Sequence, residues 1–509
     1  MKKKLFAFFF LILVFPKIAT ASETYCSNNL DQFALKNINN LKIKNITVKV
    51  DKYKRWTRNG LNILIGNFRW IPKRFKRRFD ANIKVKYEND ITCSFQARIR
   101  NNGNQKDHIA LKENSIIQSI DVHLKFGQIY GITKFKLLRP VTRGNYVDEI
   151  FLTELLREFN YLAPRTNYID TKINGVMSKM LFQEKPAKEL LQFNLRKNGP
   201  IFEGDERFVF RLAAAMPDNQ LSNLSIGMLP LIEKGINGML ARQINSEWID
   251  ENNKRSITVY DTLSNLNHIY LLYSSKYKDH KNNFDYSRYN LDNSLLALED
   301  PRNTLKLDIH NLIVFAANGW HGLVPHNRKF YWNDLEKYFE PINSDTNANI
   351  KVETYSFPLP ISNQIDLAFN DLEKLLSSID KKKLNRKLIL RGLDLRDNQV
   401  KMKLNKIKIN LDKLKTIYHK IDSDTLEHNR NNKIKKEMWK KYYASLYKIN
   451  PNVYLVKQTP NNLFKRCAIK SLICRDFTFN KNQLLDLLEG KLMINSREYQ
   501  YLGKSVQFE

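Results

Sequence analysis

The chain has 509 residues, with 84 Lys and Arg against 52 Asp and Glu and a formal net charge of +32 at pH 7. Its 42% hydrophobic and 11% aromatic content excludes a disordered chain, and its length allows two or three domains, or one large domain with extensions. Such an excess of positive charge attracts anionic partners, although lysines scattered along the whole chain also fit a plain solvated surface.

Lys2, Lys3 and Lys4 precede an apolar run at residues 5–15, and Ala19-Thr20-Ala21 supplies small residues before a predicted cut at Ser22. This order is that of a secretory signal, and the run is shorter than the about 20 apolar residues of a transmembrane helix. The expectation is export, to a periplasmic, cell-envelope or secreted location, with no transmembrane helix after cleavage. Export makes nucleic acid the least natural anion, so none is expected as partner. Cys26, Cys93, Cys467 and Cys474 form an even set that permits disulfides, Cys467 with Cys474 and Cys26 with Cys93. No CxxC pattern points to zinc.

Residues 22–85 read as short strands with basic turns. The alternation over residues 41–50 suits a half-buried strand. The stretch FRWIPKRFKRRF, ending at Phe79, mixes aromatics with cations; it reads as a strand pair with solvated cations, or as a segment lying on an anionic surface. Residues 92–140 read as a small sheet with strands around Phe95–Ile99, Ile120–Leu124 and Phe135–Leu138 and a turn at residues 101–104. Residues 148–159 predict an amphipathic helix, followed by a strand, an Asn174-Gly175 hairpin turn, a return strand at 177–182 and a helix at 187–195. The middle, 205–300, reads as mostly helical, and 308–318 as a strongly apolar helix. A loop with His321, His326 and Asn327 follows, then strands at 329–332 and 339–342. Helices are predicted over 361–390, a strand over 402–411, a basic helix over 412–448, and short strands around one helix at 481–488 in the last part. No internal repeat is visible.

This order of elements matches that of protein-kinase-like folds, in which a sheet lobe holds nucleotide and a later loop and Asp hold metal. Leu162-Ala163-Pro164-Arg165, Asn174-Gly175 and Glu184 follow one another within residues 135–191, and Arg98-Ile99-Arg100-Asn101-Asn102-Gly103-Asn104 lies upstream. With these motifs the chain resembles the CotH-type kinase family (spore coat protein H and relatives) over roughly residues 92–345. The resemblance implies an α+β, two-lobed protein-kinase-like fold with an N-terminal β extension and a helical or mixed C-terminal extension. Its divisions would be 1–21 signal, 22–91 β-rich extension, 92–360 kinase-like domain, 361–448 basic helical extension and 449–509 a small α/β segment.

The resemblance also implies Mg2+ and ATP. Asn327 and Asp345 match the family's metal-binding residues, and their oxygens suit magnesium. Lys106 or Lys136 would meet the phosphates, Glu149 or Glu154 would pair with that lysine, and Glu184 would help place the nucleotide. Kinases carry a catalytic Asp five residues before the loop Asn; that position here is Gly322. His321 is the candidate base in its place, with His326 second. Arg98, Arg100 and Arg143 read equally as surface ion-pair residues. Trp320, Phe330 and Tyr331 read as core.

Two functions follow. One is an exported atypical kinase that phosphorylates a protein hydroxyl with Mg-ATP. The other is a non-catalytic (pseudokinase) envelope or surface protein that binds an anionic polymer or a partner protein. No G-x-S-x-G or H-E-x-x-H motif supports a hydrolase.

Overall fold

The computed structural model describes residues 25–26, 41–205, 240–250, 253–276, 291–353, 362–421, 452–459, 461–468 and 473–504, apart from single positions 69, 89 and 114. The predicted signal and the part of the predicted basic helix beyond residue 421 lie outside the described residues.

The first half is built on strands β1 (Tyr25–Cys26), β2 (Ile43–Val50), β3 (Phe79–Tyr87) and β4 (Thr92–Asn101), a small hairpin β5 (Ile109–Lys112) and β6 (Ser115–Gln118), then β7 (Ile120–Leu124), β8 (Lys134–Leu138), β9 (Thr166–Ile173) and β10 (Val176–Glu184). Helix α1 (Tyr53–Ile65) follows β2, and α2 (Tyr146–Glu158) follows β8. Seven strands close into a barrel in the order β4-β3-β2-β9-β10-β8-β7, with β7 returning to β4. All pairs are antiparallel except β2 with β9, which run parallel. Period-two alternation supplies the interior: Ile46, Val48, Ile83, Val85, Ile99, Val122, Phe135 and Leu137 are fully buried. The strand β1 pairs with β4 outside the ring and sets Cys26 opposite Cys93, which is disulfide-bonded.

The two-lobed kinase-like fold expected above is overturned by this closure. The β4–β7 ladder, from Ala97↔Leu124 to Asn101↔Ile120, rolls what would be an open lobe sheet into a barrel. Parallel pairing of Asn45–Val48 with residues 170–173 brings in β2 as a further stave. The barrel thus takes strands from both sides of residue 91.

The second half carries α3 (Lys188–Phe193), β11 (Ile201–Gly204), β12 (Ala241–Gln243), α4 (Glu247–Asp250), α5 (Asn253–Lys276), α6 (Asn293–Leu296), α7 (Pro301–Ala316), β13 (Lys329–Asn333) and β14 (Tyr338–Ile342). Strands β12-β11-β13-β14 form an antiparallel sheet. Asp300 caps α7, accepting from the amides of Arg302 and Asn303, with Pro301 in the first turn where no amide is needed. Next come α8 (Ile365–Ser378), α9 (Lys381–Leu390) and α10 (Asp397–Tyr418), which pack with α2 and α7 in one helical core. The chain ends in β15 (Val453–Gln458), β16 (Phe464–Ala468), β17 (Cys474–Phe477), α11 (Lys481–Leu488), β18 (Met493–Ile494) and β19 (Arg497–Gly503). These strands form a five-stranded sheet, with a Cys467–Cys474 disulfide between paired strands.

Three local expectations differ. Residues 402–411 lie inside α10, because Val400, Leu404, Ile407, Leu411 and Leu414 are buried at helical spacing. Residues 53–65 are helix, packed inward through Trp56, Asn59, Gly60 and Ile63. The basic stretch at 73–75 is a short 3-10 turn, not a strand pair.

Candidate functional site

The barrel alternates, so residues between the core-facing ones point outward, and one outward row crosses four strands. Arg100 on β4 stands opposite Asp121 on β7, Asp121 opposite Lys136 on β8, and Lys136 opposite Gln183 on β10. Asp121 is buried and carries four neighbours: Arg78 at 2.9 Å, Lys185 at 2.8 Å, His123 at 3.3 Å and Arg100 at 3.6 Å. Burial alone would raise its carboxyl, but Lys185 and Arg100 hold it far below the usual carboxylate range. Burial, then Lys185, pushes the His123 imidazole down to about 3, so that ring is neutral.

Arg143 sits at the end of the short turn Pro140–Arg143; of its two equal readings the surface one is excluded, because it is buried. Its guanidinium donates to the Thr142 carbonyl at 2.8 Å and to Gln183 Oε1 at 3.3 Å, and pairs with Asp345 at 2.9 Å. Asp345 adopts the left-handed region at φ 55°, a conformation that aspartate tolerates better than most residues. Burial opposes its ionisation; Arg143 foremost, then His321, Lys136 and Lys329, hold its pKa below the ordinary value.

The Lys136 side chain is half-buried and makes no hydrogen bond or ion pair with any described residue. Burial, then Arg143, Lys329 and Lys185, bring its ammonium down to about 8, with Asp345 acting the other way. With its pKa above 7 it stays mostly protonated at neutral pH. Within electrostatic reach of Lys136 lies Glu203 on β11, which is committed to Lys329 on β13 and Arg242 on β12. Burial would raise the Glu203 carboxyl, but Lys329 and Arg242 lower it well below the usual range.

His321 lies in the short turn Trp320–Leu323. The Asn327 amide nitrogen is 2.8 Å from its Nε2 and donates to its backbone carbonyl at 3.1 Å. An amide nitrogen only donates, so Nε2 accepts and the ring proton is on Nδ1. Burial keeps the imidazole neutral by lowering its pKa. The lone pair that a general base needs is therefore already engaged.

The remaining candidates are tied elsewhere. Lys106 donates to the carbonyls of Leu64 and Gly66 and lies over the Phe68 ring. Glu149 accepts from the Thr346 hydroxyl, the Thr346 amide and the Ala348 amide, so it anchors the segment after Asp345 and does not pair with a lysine. Burial raises its carboxyl pKa, against Arg143. Glu154 pairs with Arg391 and Arg157. Glu184 forms a fully buried ion pair with Arg165. Gly322 packs so closely on the 344–346 segment that a Cβ there would lie 2.7 Å from Thr346 Cγ2.

Lys136, His321, Asn327 and Asp345 thus come into one cluster with Arg143, while Lys106, Glu149 and Glu184 serve the framework. Asp345 is paired with Arg143 amid further cations, Asn327 holds His321 through its amide nitrogen and leaves its Oδ1, the oxygen a magnesium ion would take, outside that contact, and no group of three or more His, Cys, Asp or Glu is placed to share a cation among the described residues. Arg143 and Lys329 were the residues whose role sequence reasoning missed; the one available signal was their charge beside a turn and a strand end. No helix among the described residues is long and apolar enough to cross a membrane. Comparison with protein-family models finds no match to the chain, and comparison with curated proteins finds none either.

Proposed function

We propose that the chain is an exported, non-catalytic binding protein whose basic cluster around Lys136 and Arg143 holds a phosphate-type anionic group of a polymer or partner. The observation that carries this reading is Lys136, a half-buried ammonium with no ion-pair partner among the described residues, beside the buried Arg143. A desolvated cation left without a counter-charge costs free energy, and an incoming anion removes that cost. Gln183 orients Arg143, and the neutral His321 presents Nδ1–H as a further donor. Calorimetry with pyrophosphate as probe tests it. Binding is expected in the wild type and at least about tenfold weaker in Lys136→Gln, the loss of one charge-assisted hydrogen bond. Equal binding by both refutes the assignment.

Phosphoryl transfer from Mg-ATP is the second reading, favoured by the electrostatic coupling of Lys136, His321 and Asp345. Label transfer from Mg-ATP that disappears in Asp345→Ala would put this reading first. Export itself is tested by fractionation, where the mature chain is expected without residues 1–21.

A further inference from the structure

Ten lysines and arginines, and no aspartate or glutamate, lie between Lys52 and Arg78. Helix α1 buries Trp56, Asn59, Gly60 and Ile63. Its outward stripe is Lys54, Arg58, Leu61 and Ile65, spaced i, i+4, i+7 and i+11, so all four share one face. The apolar members are open to solvent: Ile65 is 69% exposed, Leu61 44% and neighbouring Tyr53 53%. Asn59 donates to the Phe75 carbonyl at 2.9 Å and so holds the turn Lys73–Phe75 beside the helix. That turn and the residues after it add exposed Lys73, Arg74 and Arg77, the last two lying over the Phe75 and Phe79 rings. None of Lys54, Arg58, Lys73, Arg74 or Arg77 is ion-paired with a described residue.

We propose that α1 and the adjoining 73–77 turn form a face that seats the protein on an anionic phospholipid surface. Charge complementarity fixes the sign of the partner. The apolar side chains decide between lipid and a soluble polyanion: Tyr53, Leu61 and Ile65 gain from insertion at a headgroup boundary and gain nothing against a hydrated polymer. Cations near such a surface each strengthen binding by about fivefold, and salt weakens them all. The face does not include Lys136, and this inference does not depend on what the cluster around Lys136 binds.

The test is co-sedimentation of the full chain with phosphatidylcholine vesicles, with and without phosphatidylglycerol, alongside binding to heparin as a soluble polyanion. Binding is expected only to the phosphatidylglycerol vesicles and is expected to fall with salt. Lys54→Gln/Arg58→Gln should weaken it about 25-fold, two cations at about fivefold each. Leu61→Ser/Ile65→Ser should also weaken vesicle binding while leaving any heparin binding unchanged. Lys136→Gln should bind vesicles as the wild type does, which separates this face from the cluster around Lys136. All of the α1 substitutions are at exposed positions, so melting should not move. Absence of binding to anionic vesicles overturns the proposal. So does wild-type vesicle binding by Leu61→Ser/Ile65→Ser, which assigns the face to a soluble polyanion, or loss of vesicle binding in Lys136→Gln.

Discussion

Placing an aspartate at residue 322, where the kinase pattern would have its catalytic group, is expected to damage the fold and to create no activity. A Cβ at Gly322 meets Thr346 Cγ2 at 2.7 Å, the Ser344 carbonyl oxygen at 3.1 Å and Thr346 Cα at 3.2 Å. Carbon–carbon contacts are comfortable at about 3.5–4.0 Å, so the two segments must separate by roughly 1 Å. Thr346 cannot yield by turning its side chain, because its hydroxyl donates to the buried Glu149, which also takes the Ala348 amide at 3.3 Å. Gly322→Ala alone should therefore cost about 1–3 kcal/mol, the usual range for overpacking. Gly322→Asp should cost more, since it adds a carboxylate beside the Ser344 carbonyl and close to Asp345. Urea unfolding followed by circular dichroism should rank the midpoints wild type, then Gly322→Ala, then Gly322→Asp, and none should transfer label from Mg-ATP. An aspartate variant that unfolds at the wild-type midpoint and gains transfer activity would refute the reasoning about this loop.

Truncating Glu184 to alanine leaves the buried Arg165 guanidinium without its counter-ion and should cost about 3–5 kcal/mol of stability, read from the unfolding midpoint. A nucleotide-placing role would instead spare stability and affect ligand binding alone. Asp308 on α7 is buried with Asn293 and Ser362 as partners, and burial lifts its pKa from 3.8 to about 7. The folded state therefore holds a proton that the unfolded state releases between about pH 4 and 7, and stability falls as pH rises across that window, by up to about 1.4 kcal/mol per unit. Asp308→Asn should flatten this slope in melts taken across the same pH range and should be more stable than wild type at pH 8. Replacing Cys467 and Cys474 by serine opens a loop with a sequence separation of 7, worth about 2–3 kcal/mol by loop entropy. The loss should appear as faster amide exchange in β16 and β17 and leave the barrel amides unchanged.

Local order was legible in the sequence where one face is apolar and the period is regular. The strands around Phe95–Ile99 and Ile120–Leu124, the Asn174-Gly175 hairpin and the apolar helix before the His321 loop all follow from alternation, turn chemistry and helical spacing. Barrel closure was not legible. Alternation states which side chains face inward, not which strand lies alongside, and both decisive ladders, β2 with β9 and β4 with β7, are set by pairings outside any sequence window. Helix α1 was hidden because two of its four inward residues are Asn59 and Gly60, which leave almost no apolar period. Residues 402–411 misled in the opposite way. Lysines spaced among isoleucine and leucine mimic period two over ten residues, and only the longer run from Val400 to Leu414 shows the helical period that burial obeys.

The site was half legible for a related reason. Residue type marked Lys136, His321, Asn327 and Asp345 as polar groups near turns, and they do converge. What type alone does not state is which partner each has already taken. Glu149 looks like a lysine's partner until its oxygens are found on the Thr346 and Ala348 backbone, where they hold the chain that presents Asp345. Arg143 looks like a surface cation until it is found buried and bound to Asp345. That one pair changes the chemistry of the cluster. Asp345 with a free carboxylate would invite a cation, whereas Asp345 paired with Arg143 leaves Lys136 without an ion-pair partner among the described residues, which is what the anion-binding proposal rests on. On that proposal the sign of the ligand depends on a pairing across about 200 residues, and Arg143→Met tests it: pyrophosphate binding should fall while Asp345, freed of its partner, takes up a proton at higher pH.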